Sequence, residues 1–230
     1  MIRHLLVLTG TWSTILGVAA ADVDSEQKAC ERDDGSACVA LAMRHVKGDG
    51  VPKNVALAKQ LALKACAKKT ARGCTVAGLL VQATDQADAA RVVALLEQGC
   101  ALGDGSACND LGTIWASGKP GSTGVDFTKS SKLYLRACTL KDAVGCFNAG
   151  NVYRLGEGAK LDLKTAAVHF QRACDLGSSS GCSAIGTAYA TGAGVEKDSA
   201  KALALYERAC TLGADKACEA VAASKAASKR

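Results

Sequence analysis

Aromatic side chains make up only 4% of this 230-residue chain, and histidine occurs three times. The first scarcity removes the stacking platforms on which single-stranded nucleic acid is held, so no nucleic-acid partner is expected. The second leaves His45 and His169 far apart once the first residues are set aside, too few to build a zinc site, and no metal or other cofactor is expected. Long apolar runs are missing too. Leu5 to Val18 comes nearest, but Thr9, Gly10, Thr11, Ser13 and Thr14 interrupt it, leaving it too short and polar to anchor a mature chain in a membrane. Serine-hydrolase signatures are sparse: Ser-Asp-Asn and Lys-Thr-Gly elements are absent, and Lys164-Thr165-Ala166 is the nearest approach to the second.

What replaces them is cysteine. Twelve fall in six pairs of constant spacing: Cys30/Cys38, Cys66/Cys74, Cys100/Cys108, Cys138/Cys146, Cys174/Cys182 and Cys210/Cys218. Consecutive pairs begin 36, 34, 38, 36 and 36 residues apart, the period of a two-helix solenoid repeat. Structural zinc sites prefer cysteines two to four residues apart. An even count behind an export signal instead reads as a disulfide framework, with pairing inside each local pair the simplest solution. That signal is residues 1–21: Arg3 and His4, then the apolar stretch, then Ala19-Ala20-Ala21 as the small-residue cleavage site. The mature product is expected to be exported, periplasmic or extracellular. It carries 27 basic against 22 acidic side chains, a mild excess spread through the repeats.

Aligned on the first cysteine, the unit shows its parts. Twelve residues earlier stand Asn54, Asp88, Asp126, Asp162 and Asp198, each placed to cap a helix that runs to the cysteine. Two residues before the cysteine sit Lys64, Gln98, Arg136, Arg172 and Arg208, where cations complement a helix C-terminus. Three residues after it come Gly103, Gly177 and Gly213, suited to a left-handed C-cap, with Lys69 and Lys141 in other units. The second cysteine is expected to open the partner helix, so that each pair staples the two helices of its own unit. Four residues on, Ala42, Gly78, Gly112, Gly150, Gly186 and Ala222 mark close backbone approach. His45 falls in a column otherwise filled mainly by bulky residues, and His169 replaces a leucine, so both read as packing residues. Between Cys74 and Cys100 the metre loses two residues, and Thr84-Asp85-Gln86 replaces the Gly-x-Gly turn.

The run from Ile185-Gly186 to Gly192-Ala193-Gly194-Val195 follows a Leu-Gly-x-x-Tyr-x-x-Gly-x-Gly-Val pattern. In this it resembles Sel1-like repeats, and with a cysteine pair in every unit it is similar to the cysteine-rich Sel1-like proteins first grouped around those of Helicobacter. The resemblance spans about residues 26–222 and implies an all-α fold: an α/α solenoid of two-helix, TPR-like repeats stapled by disulfides into a right-handed superhelix. Residues 22–222 form the array of five to six repeats, and 223–230 a basic Ala/Ser/Lys tail. Members of that group often bear penicillin-binding or β-lactamase labels; other Sel1-like relatives act as adaptor scaffolds, and a mitochondrial relative assists respiratory-chain assembly.

Two functions follow. A concave groove is a common site for extended peptides, which makes a peptide or protein the expected partner. Counting along the second-cysteine helices selects Met43, Lys47, Asp110, Thr113, Asn148, Asn151 and Thr187 as its lining, with Ser117, Leu155 and Thr191 beside them. The alternative that the resemblance implies is weak hydrolysis or binding of a β-lactam or a peptidoglycan-like peptide. For that reaction Ser25-Glu26-Gln27-Lys28 is the one Ser-x-x-Lys match, no nucleophile elbow is expected, and no catalytic residue is assigned.

Overall fold

The computed structural model describes residues 12–84, 88–118 and 123–227. Among these are twelve helices and no strand: α1 (Trp12–Glu31), α2 (Gly35–Lys47), α3 (Val55–Ala67), α4 (Ala71–Thr84), α5 (Ala89–Ala101), α6 (Gly105–Ser117), α7 (Phe127–Thr139), α8 (Ala143–Leu155), α9 (Leu163–Asp175), α10 (Ser179–Thr191), α11 (Ser199–Thr211) and α12 (Asp215–Ala227). The helical solenoid expected from the sequence is what forms. The chain divides into two compact units, one up to Asp88 and one from Ala89 onward. The boundary falls where the Gly-x-Gly turn is missing; residues 85–87 lie outside the described residues. The first eleven residues of the expected leader also lie outside them, and α1 runs without a break across Ala21 and Asp22. No described helix is long and apolar enough to cross a membrane.

Local chemistry explains the element boundaries. Asn54, Asp126, Asp162 and Asp198 cap α3, α7, α9 and α11, each carboxylate or amide oxygen accepting from a first-turn backbone N–H. The even-numbered helices are capped in the same way by Asp34, Asp104, Asp142 and Ser178. The turn between each odd helix and the next contains one left-handed residue: Asp33, Lys69, Gly103, Lys141, Gly177 or Gly213. The two lysines therefore hold the glycine conformation without its steric freedom.

All six disulfides form within the local pairs: Cys30–Cys38, Cys66–Cys74, Cys100–Cys108, Cys138–Cys146, Cys174–Cys182 and Cys210–Cys218. Their Cα–Cα distances run from 4.3 to 4.7 Å, and no described cysteine is free. The place of the second cysteine differs from the one expected. Cys38, Cys108, Cys146 and Cys182 do not open α2, α6, α8 and α10; each stands one turn inside, four residues after the capping Asp34, Asp104, Asp142 or Ser178. The cap, not the cysteine, begins the helix, because the first-turn N–H groups need its side-chain oxygen. One turn in, the sulfur is drawn into the core: Cys38, Cys108, Cys146 and Cys182 are 0% exposed. These four are therefore sealed core residues and present no surface to a ligand.

That closeness needs small neighbours. A Cβ added to Gly73, Gly145 or Gly181 would overlap Ala65, Ala137 or Ala173 on the facing helix. Helix packing is more extensive on the other side of each even helix: α6 on α7, α8 on α9 and α10 on α11 share larger interfaces than α5 on α6 or α11 on α12. Aromatic rings fill those interfaces, the Phe170 ring lying against Gly150 and Phe147. The natural unit therefore begins at an even helix. Cys38, Cys108, Cys146 and Cys182 belong to the first helix of such a unit and bond back to Cys30, Cys100, Cys138 and Cys174 of the helix before it. The disulfides join one helix pair to the next instead of stapling the two helices inside it, which corrects the expectation that each bond holds its own pair together.

Candidate functional site

In the second unit α6, α8 and α10 approach one another more closely than α7, α9 and α11 do, so the even helices form the inner face of the curve. Five of the expected groove residues lie there: Asp110, Thr113, Asn148, Asn151 and Thr187. Met43 and Lys47 lie on α2 in the first unit.

Two of the five are spent on packing. Tyr134 donates its hydroxyl to Thr113 Oγ1 at 3.2 Å, and the Thr187 and Tyr206 hydroxyls lie 3.0 Å apart. Both threonines also donate to the carbonyl four residues back in their own helix. Ser117 and Thr191 do the same, and Leu155 is exposed.

Asn148 and Asn151 are brought together in one pocket of about 130 Å³, walled by Phe127, Ser130, Tyr134 and Glu157. Their amide orientations follow from their neighbours. Asp110 accepts from Asn109 Nδ2, which turns Asn109 Oδ1 toward α8, where it accepts from Asn148 Nδ2 at 2.8 Å. Arg154 donates twice to Asn151 Oδ1, at 2.9 and 3.1 Å. Among the described residues Asn148 Oδ1 is left without a donor and Asn151 Nδ2 without an acceptor, three residues apart on one helical face. One residue of an extended segment presents the complementary donor and acceptor, its N–H and C=O, to the same side.

The row of cations before the first cysteines has a different job from the one expected. Lys64 Nζ donates to the Cys30 carbonyl at 2.7 Å, and Arg136 Nη2 to the Cys100 carbonyl at 3.0 Å. Each side chain thus caps the C-terminus of the odd helix one repeat earlier, not its own. Arg208 reaches Asp175 at 3.7 Å in the same direction.

His169 sits in α9 with its ring stacked on Tyr153 at 5.5 Å and Nδ1 3.7 Å from Cys138 Sγ. Burial, with Arg172 adding repulsion, holds its pKa below the ordinary value of 6.5. His45 turns Nδ1 to the Pro52 carbonyl at 3.0 Å. Neither ring faces a nucleophile.

Ser25 and Lys28 are exposed on α1 and make no hydrogen bond to each other. One string passed over in the sequence, Gly177-Ser178-Ser179-Ser180-Gly181, has nucleophile-elbow spacing. It links α9 to α10, with Ser178 as the α10 cap, rather than a strand to a helix, and among the described residues no histidine or carboxylate bonds Ser179. Among the described residues, no group of three or more His, Cys, Asp or Glu side chains is placed to hold a metal ion.

The Sel1 repeat family matches residues 35–69, 105–142, 143–178 and 179–213, more than half of the chain. Those repeats begin at α2, α6, α8 and α10, the phase that the packing gives, and skip the segment where the metre breaks. A Sel1 repeat protein from Oxalobacter formigenes superposes with a TM-score of 0.76 at 24% identity, covering 89% of this chain and 84% of that one. A protective antigen of uropathogenic Escherichia coli with an SLR fold gives 0.75 at 22% identity, covering 87% of this chain but 43% of its own. In sequence, cytochrome c oxidase assembly factor 7 from Xenopus tropicalis is 31% identical over 149 residues, 60% of this chain and 64% of that protein. The chain thus spans less than two thirds of that relative and less than half of the antigen.

Proposed function

This chain belongs to the Sel1 repeat family and is a disulfide-rich helical scaffold. We propose that it is an exported binding module that holds an extended peptide segment of a partner protein on the inner face of α6, α8 and α10. The observation that carries this reading is the complementary pair on α8: Asn148 Oδ1 open as acceptor and Asn151 Nδ2 open as donor, beside a pocket of side-chain size. Two amide bonds to the N–H and C=O of one extended residue, which face the same side, fix the register of a segment without demanding a particular sequence. Six disulfides suit an oxidising compartment, consistent with export.

Scaffolding of a larger assembly is one use of such a surface, and the name of the Xenopus relative, an assembly factor, supports it. Hydrolysis of β-lactams has less behind it, since Ser25 and Lys28 stand exposed without a shared hydrogen bond.

The test uses the oxidised full chain as bait for polypeptides of the exported fraction. A set of them should be retained by the parent and released by Asn148→Ala/Asn151→Ala. Capture that is the same for parent and double variant would remove the inner face as the site.

A further inference from the structure

A second concavity, of about 520 Å³, opens in the second unit beside α9 and the Gly194-Val195 turn. Its walls include the core residue Ala167, and it shares three register positions with a smaller pocket in the first unit. Gln171, Asp175 and Tyr189 line it where Gln27, Glu31 and His45 line the smaller one. The repeat therefore generates a hollow at this register, and the occupants of each hollow differ from unit to unit.

In the smaller pocket the cation that corresponds to Arg208 is used internally, Lys64 donating to the Cys30 carbonyl. At α6, Trp115 is covered by Lys129, whose ammonium lies 3.5 Å from the ring centroid and 3.9 Å from Glu97. At α8, Tyr153 is covered by His169. At α10, Tyr189 has only Lys201 at 5.4 Å, so its ring still borders open space.

Charge in the α10 hollow is left unbalanced. Its one carboxylate, Asp175, accepts from Gln171 at 2.9 Å and pairs with Arg208 at 3.7 Å. Arg172 occupies the column in which Lys64, Arg136 and Arg208 each find an oxygen, yet it bonds none among the described residues. Lys164, at the other end of the hollow, forms no ion pair among the described residues. Between the two cations Val168 is 65% exposed, the most exposed of the large apolar side chains, with Val195 and Tyr189 facing it across the hollow.

The Lys164 charge adds to the Thr165 hydrogen bonds that hold the Asp162 carboxyl below its ordinary pKa. Lys164 and Arg172, which bonds no oxygen among the described residues, flank an apolar floor and complement a segment in which a carboxylate adjoins an aliphatic side chain. We infer that this hollow is a second binding site, distinct from the inner face, for an acidic peptide with alternating carboxylate and aliphatic residues. Arg172 holds the carboxylate, and Val168, Tyr189 and Val195 take the aliphatic group.

The probe is the acetylated, amidated tetrapeptide Asp-Val-Asp-Leu, titrated into the oxidised, nitrogen-15-labelled full chain, with Lys-Val-Lys-Leu as the charge-reversed control. The acidic peptide should give saturable amide shifts at Val168, Arg172, Tyr189 and Val195. Its affinity should fall at least tenfold in Arg172→Glu and more modestly in Arg172→Gln, which removes the charge without reversing it, and should be unchanged in Asn148→Ala/Asn151→Ala. Equal shifts with both peptides would overturn the assignment. So would shifts confined to α6 and α8, or binding by Arg172→Glu within twofold of the parent. Both arginine variants alter an exposed side chain with no internal bond among the described residues, so an unchanged spectrum away from α9 and α10 reports that they remain folded.

Discussion

If the disulfides join repeat to repeat, the last of them should hold α12 to the array almost unaided. Among its described side chains α12 buries only Ala217 and Val221. At about 25 cal/mol per Å² these two side chains contribute roughly 2–3 kcal/mol, and a lone thirteen-residue helix is marginal in water. The Cys210–Cys218 bond closes a loop of nine residues, worth about 2.5 kcal/mol on the chain-entropy estimate. Replacing both cysteines by serine should therefore let α12 open locally. At about 1.4 kcal/mol per factor of ten, amide protection across residues 215–227 should fall by roughly 70-fold. Hydrogen exchange read by mass spectrometry on the full chain resolves this, because α9 and α10 serve as internal references. Protection in α9 and α10 should stay at the parent level. Undiminished protection of α12 would refute the reasoning, since it would show that packing alone holds the terminal helix. Equal loss throughout the second unit would refute it differently, by making the bond part of one cooperative core.

Gly194→Ala should destabilise the second unit by about 2–4 kcal/mol in urea unfolding, because the residue has φ +78° and an added Cβ would overlap the Leu163 carbonyl; a cost below about 0.5 kcal/mol would show that the turn yields freely. His169 has a folded pKa below its ordinary 6.5, so its neutral form contributes stability above that value, and the contribution is lost as pH falls through 6.5 toward the lowered folded pKa. The second unit should accordingly lose stability on acidification through that window, and His169→Leu should flatten the profile; parallel profiles would remove His169 as the cause. Nitrocefin hydrolysis by the purified chain should be no faster than that of its Ser25→Ala variant; turnover abolished by that substitution would restore the Ser-x-x-Lys reading.

Most of the fold is legible because each repeat states the same thing again. Four of the five expected caps bond as expected, the left-handed position falls on Gly103, Gly177 and Gly213 with Lys69 and Lys141 in register, and every cysteine pair closes. The phase of the repeat is harder to read, since a periodic string has no marked start. Only packing distinguishes the broad interface of α8 on α9 from the narrower one that the disulfide bridges. The starts of the even helices do carry a readable signal, four residues before the second cysteine, at Asp34, Asp104, Asp142 and Ser178. An alignment on the first cysteine hides it, and so places Cys38, Cys108, Cys146 and Cys182 at helix starts when they stand a turn inside. The targets of Lys64 and Arg136 were not legible, because their acceptors are carbonyls of the preceding repeat and carry no side-chain signature. For the groove, the count could not separate Asn148 and Asn151, which each keep an amide atom without a partner among the described residues, from Thr113 and Thr187, which tyrosines of the next helix engage.

In a periodic scaffold the shared columns build the fold, so departures from them are where one repeat differs from the next. The repeat at 143–178 concentrates such departures. Asn148 and Asn151 stand on the inner face of α8, where the repeat at 179–213 has Ala184 and Thr187. His169 occupies a leucine column, and Arg172, like Lys28 in the same column, bonds no oxygen among the described residues. Uniform packing does not require any of these, because neighbouring repeats fold with other residues in the same places. Their placement gives one repeat two chemically different faces: neutral amides matched to a peptide backbone on α8, and cations over exposed aliphatics on α9. Two faces on one rigid pair of helices would let two segments of a partner, or two partners, be held at a fixed separation, which is work that a scaffold does and a hydrolase does not need.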